Sequence, residues 1–91
     1  MWIWVLISLI VKGGRSSTER RFRHTTRVED LKNFAKEMTG IERRDFFIEV
    51  KTDNRNGWMY VTKDTMLEEL SAWEKADGSL TMRMKRRPAR R

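Results

Sequence analysis

The chain has 91 residues, 38% of them apolar, which suffices for one domain with a small core and leaves no room for a large catalytic scaffold. With no cysteine and one histidine, disulfide staples and thiolate zinc sites are excluded, imidazole metal cages are disfavoured, no cofactor is expected, and a reducing compartment, cytoplasmic or nuclear, is indicated. The formal charge of +7 arises from 20 Lys and Arg against 13 Asp and Glu; six of the cations fall between Arg83 and Arg91 without an acidic residue, leaving 14 against 13 elsewhere.

Met1 to Val11 is apolar except for Ser8. A spanning helix needs about 20 apolar residues, and Lys12-Gly13-Gly14-Arg15 interrupts the run well before that. It also lacks the leading positive charge and small-residue cleavage site of a secretory signal. Its Trp, Ile, Val and Leu content predicts a β-strand, closed by the Gly13-Gly14 breaker. Arg15 to Thr18 then reads as a polar turn, and Glu19 to His24 as a second strand with Phe22 as its one large apolar residue.

Thr26-Arg27-Val28-Glu29 has the form of a capping box. Val28, Leu31, Ala35 and Met38 follow at the spacing of one helical face, with Phe34 at its margin and Gly40 as the stop, so a helix is predicted over Thr26 to Thr39. Phe46 to Thr52 is predicted as a strand in which Ile48 and Val50 alternate with Phe47, Glu49 and Lys51. Asp53 to Gly57 supplies a turn, and Trp58 to Thr62 the returning strand. Thr65-Met66-Leu67-Glu68 repeats the capping pattern and opens a short helix through Leu70 and Trp73. After Asp77-Gly78, Leu80, Met82 and Met84 alternate with Thr81, Arg83 and Lys85 in a last strand over Ser79 to Lys85.

The resulting order is ββαββ(α)β, an α+β fold. Three stretches resemble ubiquitin in matching order: Met1-Trp2-Ile3-Trp4-Val5, then Val28-Glu29-Asp30-Leu31-Lys32 through Thr39-Gly40-Ile41, then Ser79-Leu80-Thr81-Met82 before a basic end. Resemblance to the ubiquitin-like family implies a β-grasp, a mixed sheet packed on one helix with the first and last strands parallel at its centre. It divides the chain into a domain over residues 1–85 and a flexible basic tail over residues 86–91.

In such a fold Ile3, Val5, Ile7, Leu80, Met82 and Met84 face Val28, Leu31, Ala35 and Met38. Ile41, Ile48, Val50, Val61, Leu67, Leu70 and Trp73 complete the core. The two-residue period of a strand then turns Trp2, Trp4 and Leu6 outward, with Phe47 on the same face and Glu49, Thr81 and Arg83 around it. Aromatic residues inside a charged rim are the composition of interaction hot spots. The competing expectation is that the two indoles pack under neighbouring side chains, with Arg83 lying over a ring.

The expected function is a noncovalent interaction with a protein partner through Trp2, Trp4, Leu6, Phe47, Glu49 and Arg83, with weak self-association also admitted. The resemblance would imply conjugation only with a tail ending in two glycines, and the chain given ends Arg86-Arg87-Pro88-Ala89-Arg90-Arg91, so a covalent modifier is not expected. Ordinary ubiquitin receptors are expected to bind poorly, because Glu49 and Arg83 replace apolar positions and a buried unpaired charge is heavily penalised.

One alternative is nucleic-acid binding through Lys85, Arg86, Arg87, Arg90 and Arg91, with Arg20, Arg21 and Arg23 as a second patch. Another is edge pairing of the strand carrying Arg20, Arg21 and Arg23 with an acidic strand of a small GTPase. No enzyme is expected: His24 reads as a surface residue, Asp64, Glu68 and Glu69 lack calcium-loop spacing, and Gly13-Gly14 lacks a phosphate-loop pattern. No membrane partner is expected either.

Overall fold

The computed structural model describes residues 1–53 and 57–88. The expected turn residues Asn54, Arg55 and Asn56 and the tail residues Arg90 and Arg91 lie outside the described residues.

Strand β1 spans Trp2–Val11 and buries alternate residues Ile3, Val5, Ile7 and Leu9. The bulky and β-branched side chains that make this run a good strand also fill one side of it. Lys12 and Gly13 close a two-residue loop, since Val11 pairs with Gly14, and Gly13 takes φ 88°, where a side chain would be strained. Strand β2, Gly14–Arg23, runs the full length of β1 in antiparallel register from Val11↔Gly14 to Trp2↔Arg23. It is longer than its composition predicts, and Arg15 to Thr18, expected as a turn, is paired strand. The tight loop fixes the register, and β1 then supplies hydrogen-bonding partners that polar residues accept as readily as apolar ones.

Helix α1 covers Val28–Thr39 and buries Val28, Leu31 and Ala35. The expected capping box does not form: Arg27 is the N-cap and no side chain caps it. Instead the amides of Val28 and Glu29 donate to the carbonyls of Thr65 and Lys63 at 2.8 and 2.9 Å. These groups have no partner within a helix, and here a distant loop provides one. At the other end Gly40 adopts φ 76° and donates to the Lys36 carbonyl at 2.7 Å, as the glycine stop requires. Met38, expected in the core, is 56% exposed, and the half-buried Ile41 packs against the core just beyond that end of the helix.

A 3-10 turn at Arg43–Asp45 leads into strand β3, Phe46–Lys51, which buries Phe46, Ile48 and Val50. Strand β4, Trp58–Val61, pairs antiparallel with β3. The second short helix is a 3-10 helix over Leu67–Trp73, burying Leu67 and Leu70 while Trp73 is partly covered. Its N-cap is Met66, whose amide donates to Glu69 Oε2 at 2.8 Å, while the Thr65 hydroxyl bonds the Thr62 hydroxyl at 2.9 Å. Strand β5 spans Leu80–Arg86 and buries Leu80, Met82 and Met84. Arg86 is thus a strand residue, and the Arg87 amide donates to the Asp45 carbonyl at 2.9 Å.

The five strands form one mixed sheet in the order β2-β1-β5-β3-β4, with β1 and β5 parallel and every other pair antiparallel. The first and last strands therefore sit together in the middle, and α1 covers one face. This is the β-grasp arrangement expected from the sequence. No helix among the described residues is long and apolar enough to cross a membrane.

Candidate protein-interaction face

Because Ile3, Val5 and Ile7 are held against α1, the strand period places Trp2, Trp4 and Leu6 on the opposite face of the sheet. The indoles of Trp2 and Trp4 are 49% and 48% exposed, and Leu6 is half-buried. Pairing with β5 begins only at Val5↔Leu80, so Trp2 and Trp4 have no β5 residue paired beside them. They border a hollow of about 470 Å³ whose far side carries His24, Glu68, Glu74 and Asp77.

On their other side the register sets Arg23 across from Trp2 and Arg21 across from Trp4. The Arg21 guanidinium lies 4.9 Å from the Trp2 ring centre and 5.9 Å from that of Trp4, and Arg23 lies 4.8 Å from Trp2. Each such contact at an exposed site is worth about 0.5–1 kcal/mol, enough to orient the rings and too little to hide them.

Further across the same face, Arg83 on β5 stands between Ser8 on β1 and Glu49 on β3. Arg83 Nε donates to Glu49 Oε1 at 2.8 Å, with only 26% and 16% of the two side chains exposed. The two charges expected to stand unpaired therefore satisfy one another. Arg83 does lie over an indole, that of Trp58, at 4.1 Å, while the rings of Trp2 and Trp4 meet Arg21 and Arg23 instead. Phe47 packs edge-to-face on Tyr60 with ring centres 5.4 Å apart, and Arg87 lies 5.6 Å from Phe47.

All six residues expected at the interface are thus on one sheet face, in two groups. Trp2, Trp4 and Leu6 line β1, Phe47 lies on β3, and the Arg83–Glu49 pair separates them. Trp58 and Tyr60 on β4 join the Phe47 group and were missed by the sequence argument, as was the role of Arg21 and Arg23 over the indoles. Their signal was the β3–β4 register, in which Lys51↔Trp58 and Glu49↔Tyr60 put both rings on the outer face.

The residues of the alternative functions are more dispersed. Lys85 pairs with Phe47 on the outer face, whereas Arg86 pairs with the buried Phe46. Arg20 lies 4.8 Å from the Phe34 ring on the helix side, away from Arg21 and Arg23 on the outer side. Strand β2, which carries these three, is an edge of the sheet. His24 Nε2 lies 3.4 Å from Glu68 Oε2.

No family model matches the sequence, and no curated protein does. Among solved structures, the chain is similar in fold to tubulin-binding cofactor B from Trypanosoma brucei, with a TM-score of 0.65 at 14% identity over 94% of this chain and 99% of that one. At this identity the likeness is one of architecture. Strand order, the parallel central pair and the single covering helix define the ubiquitin-like β-grasp fold.

Proposed function

We propose that the chain is a ubiquitin-like protein-interaction domain that binds a protein partner noncovalently through the outer face of its sheet, with Trp2, Trp4, Leu6, Phe47, Glu49 and Arg83 at the contact. The observation that carries this reading is the pair of half-exposed indoles at successive outward positions of β1. A large apolar side chain gains about 1.5–3 kcal/mol on full burial, so a partner covering the open half of both rings gains about that amount in total before ordering costs. Such a gain corresponds to roughly a tenfold to hundredfold change in affinity. The fold is shared with tubulin-binding cofactor B, a protein named for binding another protein, which supports a protein as the partner class.

A double Trp2→Ala, Trp4→Ala variant tests the proposal. It is expected to keep its circular dichroism spectrum and cooperative melt while losing at least tenfold in the capture of partners that the parent chain retains from cell extract. A variant that unfolds would make the indoles structural and remove the proposed surface.

A further inference from the structure

A second hollow, of about 500 Å³, opens beside the aromatic face, between α1, the Arg43–Asp45 turn and the ends of β3 and β4. Five cations border it: Lys32, Arg43, Arg44, Lys63 and Arg87. Two carboxylates, Glu29 and Asp64, are also on its rim, and Glu29 approaches Arg43 only to 4.0 Å. Among the described residues, Lys32, Arg44, Lys63 and Arg87 make no ion pair at all.

Solvated cations on a surface splay apart. Here uncharged neighbours hold several of them in place. Arg43 Nη1 donates to Asn33 Oδ1 at 2.7 Å. Arg87 is anchored through its backbone amide to Asp45 and rests over Phe47, and Lys32 Nζ lies 5.2 Å from the Phe46 ring centre. Burial, and then repulsion from Arg87, Arg43 and Lys63, holds the Lys32 ammonium below its ordinary pKa. Five cations that two carboxylates neutralise only in part leave an electrostatic cost that an anion would relieve.

We propose that this hollow binds a compact polyanion carrying clustered phosphates. Its size is that of a small-molecule site, and the cations converge from four segments onto one space instead of following a line, as an extended acidic peptide or a nucleic-acid strand would require. Arginine forks and lysine ammonium groups are the ordinary phosphate partners, and Phe47 and Tyr60 supply an apolar wall. The phosphates come either from a soluble metabolite or from a phosphorylated lipid headgroup. The site adjoins the aromatic face through Phe47 and Tyr60, but its cations Lys32, Arg43, Arg44, Lys63 and Arg87 are not among the residues proposed for the protein contact, so the two proposals are tested by different variants.

The full chain is titrated with inositol hexakisphosphate at 150 mM salt and followed by backbone amide NMR. Saturable shifts are expected around Lys32, Arg43 to Asp45, Lys63 and Arg87. Lys32→Gln with Lys63→Gln should weaken binding at least tenfold, whereas a charge-matched control, Lys12→Gln with Lys75→Gln, should change it less than twofold. Neither ammonium in the test variant makes a hydrogen bond among the described residues, so folding should survive, and the ligand-induced rise in melting temperature gives a second readout. No saturable shift, or equal losses in test and control variants, would overturn the proposal. Co-sedimentation with phosphatidylcholine vesicles containing phosphatidylinositol bisphosphate, against vesicles of equal charge made with phosphatidylserine, then separates the sources. Selective capture by the first assigns the headgroup, and its absence alongside soluble binding assigns the free metabolite. Binding of a DNA duplex equally strongly by parent and test variant would also count against the site.

Discussion

Asp77 illustrates how much a single exposed side chain organises in this fold. Its carboxylate accepts from the Ser79 hydroxyl at 2.6 Å and the Ser79 amide at 3.0 Å, closing the turn that launches β5. Those two hydrogen bonds, side chain first, favour the ionised form and lower its pKa below the ordinary carboxylate value. A lowered folded pKa means that the contribution to stability is present above the unfolded value, near 4, and is lost as pH falls through the folded value. Asp77→Ala should therefore melt below the parent at pH 6, with the gap closing toward pH 2; a gap that is constant with pH would disprove the assignment. The Arg83–Glu49 pair works differently. Partly covered and mutually hydrogen-bonded, it lets a charged couple sit in the middle of an aromatic face without presenting either charge alone to a partner.

At the scale of elements, local rules and long-range contacts separate clearly. The alternation in β1, β3 and β5 was legible because a strand with one buried face must repeat every two residues, and the inward sets Ile3-Val5-Ile7 and Leu80-Met82-Met84 follow directly. The polar half of β2 was not legible, since Ser16, Ser17 and Thr18 become strand only because β1 lies beside them. The start of α1 was misjudged for a related reason: Thr26 and Glu29 have the right spacing for a capping box, but carbonyls from Lys63 and Thr65 already occupy the first amides. This yields a paired prediction. Thr26→Ala should shift stability by less than about 0.5 kcal/mol, against roughly 1 kcal/mol for loss of a true N-cap. Leu31→Ala, at a position with no exposure, should cost about 2–5 kcal/mol. Denaturant melts of the two variants decide, and a larger loss for Thr26→Ala would restore the local cap.

For the molecule as a whole, the +7 charge is gathered as much by folding as by sequence. The basic run after Arg83 was visible at once, but the hollow formed by Lys32, Arg43, Arg44, Lys63 and Arg87 draws on widely separated segments and has no motif. The same limit applied to the aromatic face, where the β1 indoles could be placed by parity but Trp58 and Tyr60 needed the β3–β4 register. Concentrated positive charge opposes compaction, and salt screens it over about 10 Å at 0.1 M. Raising sodium chloride from 20 to 200 mM should therefore raise the melting temperature by about 2–5 °C, a shift worth under roughly 1 kcal/mol for a chain of this size. Lys32→Gln should melt higher than the parent at low salt and gain less from the addition. A fall in melting temperature with salt would mean that the surface ion pairs outweigh the repulsion.

The open rim of the sheet at β2 has one more consequence. Arg15, Arg20, Arg21 and Arg23 are all carried by that strand, whose outer backbone groups have no neighbouring strand. An identical molecule sliding alongside would come within about 5 Å, well inside the range over which physiological salt leaves like charges able to repel. Positive charge along an exposed strand edge is a recognised obstacle to edge-to-edge stacking of copies, so replacing Arg15, Arg21 and Arg23 by Gln is expected to increase aggregation at low salt, as followed by light scattering.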